Sequence, residues 1–106
     1  MNYSIAQIQL MSDVVAVSYA LLGNVSENYR LVSFTRVDSN VFVRFILEYE
    51  NPEDLESIDS IITELDTQLN YGECINSVKW EIIYSDQPFV VSPHNENHYM
   101  VYKRRE

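Results

Sequence analysis

Basic residues are scarce in this chain. Seven Lys plus Arg stand against sixteen Asp plus Glu over 106 residues, a formal net charge of −9. Nucleic acids need Lys and Arg to neutralise phosphates, so such a chain is repelled from them over most of its surface. Anionic lipid surfaces are disfavoured for the same reason. Cysteine is nearly absent too: the single Cys74 excludes an internal disulfide and any multi-cysteine zinc module. With two glycines, backbone nests that cradle phosphates have little to be built from. Three prolines and so few glycines point instead to regular elements with short connections. No apolar run approaches the ~18 residues of a membrane span. No basic, apolar and small-residue leader pattern stands at the N-terminus, so the expected compartment is the cytoplasm.

What is present is an ordinary globular composition, 46% hydrophobic and 22% charged, at a length that suits one domain over residues 1–106. Residues 4–22 read as a helix stopped by Gly23-Asn24, with Ile5, Ile8, Met11, Val15, Tyr19 and Leu22 on one stripe. Leu10, Val14, Val17 and Leu21 lie on the opposite side. A helix apolar all round needs complete burial or a second partner. Complete burial is hard to arrange in so small a domain, so these four residues are expected to form a homodimer interface.

Residues 30–36 and 41–49 read as strands joined by the turn-rich Val37-Asp38-Ser39-Asn40. In the second, Val41, Val43, Phe45, Leu47 and Tyr49 share a face by alternation. Asn51-Pro52 then opens a second helix, as N-cap and first helical position, with Glu53 and Asp54 complementing its positive end. Its buried stripe reads as Leu55, Ile58, Ile62, Leu65 and Leu69, and Gly72 as its stop. A strand follows over residues 77–84, with Val78, Trp80, Ile82 and Tyr84 on one face. Residues 86–97 read as a loop, and residues 99–104 as a last short strand. The order α-β-β-α-β-β predicts an α+β domain, two helices packed on a mainly antiparallel four-stranded sheet.

Catalytic signatures are missing. No Gly-x-Ser-x-Gly, phosphate loop or HExxH pattern occurs. Cys74 follows a helix C-terminus, where the dipole opposes thiolate formation. His94-x-Glu96-x-His98 puts three metal-capable side chains at alternate positions, but after Pro93 it reads as a solvated polar loop. The expectation is a protein that is not an enzyme and holds neither cofactor nor metal.

Charge layout is more informative. Between Phe45 and Val78 nine acids occur and no base. On the second helix Glu53, Glu56 and Glu64 fall opposite the buried stripe, with Asp59 on its flank. Like-charge neighbours at such spacings cost a few tenths of a kcal/mol each, and no Lys or Arg is interleaved to relieve them. These four, with Glu48 and Glu50 as outliers, are the candidate contacts for a basic partner. An acidic surface also serves solubility alone, and the sequence leaves both readings open. Eight tyrosines are many for this length; strand and half-buried positions explain most, leaving two or three for an interface.

The stretches Tyr19-Ala-Leu-Leu-Gly-Asn-Val25, Arg30-Leu-Val-Ser-Phe34 and Val101-Tyr-Lys-Arg-Arg-Glu106, and the element order, resemble a family of small bacterial immunity proteins. Those proteins accompany the toxic C-terminal domains of contact-dependent inhibition and related polymorphic toxin systems. The resemblance implies a cytoplasmic protein that binds and neutralises a cognate toxin, often a nuclease, without catalysis. A nuclease groove must be positive, so an acidic inhibitor could occupy it as a polyanion mimic. The alternative is a general adaptor or self-associating structural subunit using the two-sided first helix.

Overall fold

Four strands and two helices follow one another in the expected order in the computed structural model, which describes residues 4–70, 76–87 and 98–104. The first helix, α1 (Ile5–Leu21), begins at Ser4. The Ser4 hydroxyl accepts from the Gln7 amide while the Gln7 side chain accepts from the Ser4 amide, a reciprocal cap that satisfies two otherwise orphaned donors. Gly23, at φ +76°, carries the chain out of the helix through a conformation that costs other residues a clash.

Strands β1 (Tyr29–Val37) and β2 (Asn40–Leu47) form an antiparallel hairpin through Asp38-Ser39, where Asp38 takes φ +53°. Helix α2 (Pro52–Leu69) follows, then β3 (Ser77–Tyr84) and β4 (His98–Lys103). The strand order is β3-β2-β1-β4. β1 pairs antiparallel with β2 and β4, and β3 lies parallel to β2. The sheet is thus mainly antiparallel, as expected, but mixed. Its parallel pair is joined through α2, the long crossover that parallel strands require.

The alternation in β2 holds: Val41, Val43, Phe45 and Leu47 are buried while Phe42 and Arg44 are exposed. They meet Val32 and Phe34 of β1, Ile58, Ile61, Ile62, Leu65 and Leu69 of α2, and Ala16, Val17, Ala20 and Leu21 of α1 in one buried cluster. Two side chains expected inside stay out. Tyr49 lies beyond the end of β2 and is exposed, because its amide leaves the ladder to donate to Asn28 Oδ1. Leu55 sits at the rim of α2's buried side, and Ile61 fills the interior instead. Gly72 and Cys74 lie outside the described residues, as do His94 and Glu96. Among the described residues no helix is long and apolar enough to cross a membrane.

The first helix faces the opposite way from the expectation. Val17 and Leu21 are buried, and Leu10 and Val14 are packed against the core, so the four residues assigned to a dimer interface are covered by the protein's own interior. Two features set this facing. Ala16 and Ala20 present a small-residue surface that permits close packing. Asp13, which reads in isolation as a marker of the solvent side, is 1% exposed and held by Arg36 of β1.

Candidate functional site

Helix α2 owes its position to a polar cluster at its N-terminus. The Asn51 side chain accepts from the Glu53 amide at 3.0 Å, capping the helix. Within the first turn, Asp54 is buried, its two oxygens accepting from Ser26 Oγ and Asn28 Nδ2, each at 2.7 Å. Asn28 also donates to the Tyr49 carbonyl and accepts from the Tyr49 amide. The segment before β1, the exit of β2 and the first turn of α2 are thereby tied at one point. Asp54 is therefore a structural acid, although it belongs to the same run of nine in the sequence.

The remaining acids of the helix are turned outward. Glu53, Glu56 and Asp59 are exposed, opposite Ile58, Ile61 and Leu65. No described cation lies within ion-pair distance of their carboxylates or of Glu50. Glu64 is half-buried, accepts from Gln68 Nε2 at 3.0 Å, and lines a cleft of about 390 Å³ with Ser60, Tyr19, Leu22 and Asn24. Glu48 is different. It lies 3.6 Å from Arg104 Nη2, while Arg104 also donates to the Glu27 carbonyl at 2.7 Å. Part of the basic tail thus folds back on the one outlier it can neutralise. Glu50 stands near Tyr84 at the end of β3; partial desolvation of this largely exposed phenol first, then the charges of Glu50 and Asp54, raise it above its ordinary value. Glu50, Glu53, Glu56 and Asp59 therefore form an acidic surface that no described cation neutralises, running from the exit of β2 along α2, with Glu64 at its α1 side.

Next to Glu64, on α1, lies the stripe opposite the four residues expected at a dimer interface. Ile5, Ile8, Met11, Val15, Tyr19 and Leu22 are all exposed, from 53% for Met11 to 88% for Ile5. The signal that could have found this was Ala16 with Ala20 at i,i+4, together with Arg36 on the helix-facing side of β1 as partner for Asp13. Of the described tyrosines, Tyr29 is in the core, Tyr99 and Tyr102 are half-buried against it, and Tyr19, Tyr49 and Tyr84 are exposed; Tyr3 and Tyr71 lie outside the described residues.

The other face of the sheet carries Phe42, Arg44, Lys79 and Glu81 around a shallow cleft of about 480 Å³. Arg44 and Glu81 pair there across β2 and β3, both about half exposed. Such an exposed pair contributes little to stability and leaves no net charge. Among the described residues no three His, Cys, Asp or Glu side chains gather as a metal site.

A comparison with curated proteins finds no match. A family model does match, over residues 12–106, which takes in most of α1 and every other element. By that match the chain belongs to the MafI2 immunity protein family.

Proposed function

We propose that this protein neutralises its cognate toxin by binding alone, through the acidic surface of α2. The toxin is a basic domain, a nuclease, delivered by a contact-dependent or related polymorphic toxin system, and the encounter takes place in the cytoplasm. The observation that carries this reading is the set of carboxylates with no cationic partner among the described residues, Glu50 just before α2 and Glu53, Glu56 and Asp59 on it, where the helix's inner side is firmly packed. A nuclease must hold its substrate's phosphates with Lys and Arg, so its active groove offers the complementary charge. Glu64 extends the contact towards α1, and Glu48 joins only by sharing Arg104. No reacting group on the inhibitor is required, because occupying the groove suffices.

Co-expression tests the reading. Cells producing the toxin domain encoded beside this gene should survive when the chain is present. They should lose that protection with Glu53→Lys/Glu56→Lys/Glu64→Lys, a variant expected to fold normally. Full protection by the folded triple variant would remove α2 from the contact.

A further inference from the structure

The apolar stripe of α1 is too large to be an accident of a small surface. Six side chains recur at three- and four-residue steps, each more than half exposed, along a helix about 26 Å long. Contiguous exposed apolar patches on a soluble protein mark interaction sites more often than single scattered side chains do. No charge interrupts it, since the one charged residue of α1, Asp13, is buried on the inner side. The stripe does not run alone. Near its C-terminal end Tyr19 and Leu22 share a cleft with Ser60 and Glu64 of α2. In its middle Met11 and Val15 share another, of about 340 Å³, with Gln68 and Leu69. The apolar stripe thus borders α2 from Ser60 to Leu69, and its C-terminal end meets the acidic strip at Glu64.

We infer that the α1 stripe is the apolar half of the toxin-docking surface, occupied by an apolar ridge of the toxin domain that is flanked by basic side chains. This rests on the toxin reading above and adds the residues that hold the complex together. Charge complementarity selects the occupant. A second copy would bring another chain of −9 against the stripe, with a Glu64 at the margin of each, and like charge opposes association. An uncharged partner would leave the acids at the margin unanswered. A basic toxin domain satisfies both strips at once. Division of labour follows: the acids steer encounter, while Val15, Tyr19 and their neighbours, once desolvated, slow dissociation.

The test measures association and dissociation rates of the toxin domain encoded beside this gene. Three forms of the chain are compared: wild type, Met11→Gln/Val15→Gln/Tyr19→Gln, and Glu53→Lys/Glu56→Lys/Glu64→Lys. Glutamine is a good helix former, so the α1 variant should keep its circular dichroism and melting temperature. The single Tyr19→Gln serves if the triple variant does not fold. Dissociation should accelerate by about 30-fold or more in the α1 triple variant, the scale of losing buried anchors, with association and its salt dependence nearly unchanged. An unchanged dissociation rate overturns the inference; if the charge-reversed variant still associates slowly, the toxin reading survives without it. Should wild type sediment as a dimer that the α1 variant dissolves, a second copy is the occupant and the inference fails.

Discussion

Asp13 and Arg36 show how one pair of residues fixes the facing of a helix. Arg36 Nε and Nη2 donate to the two Asp13 oxygens at 2.6 and 2.9 Å, and Gln9 Nε2 adds a third donor at 3.1 Å. Arg36 Nη1 reaches on to the Asp38 carbonyl and Asn76 Oδ1, tying the hairpin turn to the start of β3. Removing one partner of such a pair strands the other, so Asp13→Ala should cost about 3–5 kcal/mol in urea denaturation. Replacing both, Asp13→Leu with Arg36→Met, should recover much of that loss, because the burial cost of two charges disappears with them. Tyr29 carries a different prediction. Its hydroxyl bonds Ser57 Oγ, and Ser57 in turn donates to the Asp54 carbonyl, which leaves Tyr29 as the donor of the first bond. Burial first, with the charge of Asp54 added, raises the Tyr29 phenol above its ordinary value near 10. The folded state therefore holds the phenolic proton more tightly than the unfolded one. Stability from this group is complete below about pH 10 and is lost as pH rises through the folded value. Tyr29→Phe should flatten that alkaline decline in a series of denaturation curves, at some cost in stability at neutral pH.

At the scale of elements, the sequence is legible where local chemistry decides and opaque where distant contacts do. Asn51-Pro52, with acids behind it and apolar residues at helical spacing, marks the start and inner side of α2 without help from the rest of the fold. The alternation of β2 and the bounds of β3 are local in the same way. Helix α1 is the opposite case. Its apolar residues occupy both sides, so periodicity gives its length and not its facing. What decides is Arg36, 23 residues away from Asp13, and the close fit of Ala16 and Ala20. The parallel placement of β3 is equally non-local, since no residue within it distinguishes a parallel neighbour from an antiparallel one. The acids of the candidate site were readable as a group, but their division was not. Asp54 is consumed by Ser26 and Asn28, and Glu48 by Arg104, partners that only folding brings near. Two expectations follow for α2. Asn51→Ala should lower stability by about 1 kcal/mol through loss of the cap. Glu53→Lys and Glu56→Lys, at exposed positions, should each change it by within about 0.5 kcal/mol, and half-buried Glu64→Lys by somewhat more through loss of its Gln68 bond, still less than a core substitution. Thermal melts of the two variants compare them directly.

For the whole molecule, the uneven distribution of charge matters more than its sum. The sheet face away from the helices pairs Arg44 with Glu81 and carries Lys79, whereas α2 and the segment leading into it hold carboxylates that no described cation answers. A field of one sign over one side orients an approaching basic protein before contact and is screened over about 8–10 Å at physiological salt. Stability need not suffer from this arrangement, since the core beneath α2 is closed and its N-terminus is anchored through Asp54. The most direct measurement is the association rate of the chain with its toxin domain across a range of ionic strength. Docking through α2 predicts a rate that is high at low salt and falls steeply as salt rises, and a slower, flatter dependence for Glu53→Lys/Glu56→Lys/Glu64→Lys. A wild-type rate that is indifferent to salt and matched by the folded triple variant would contradict it.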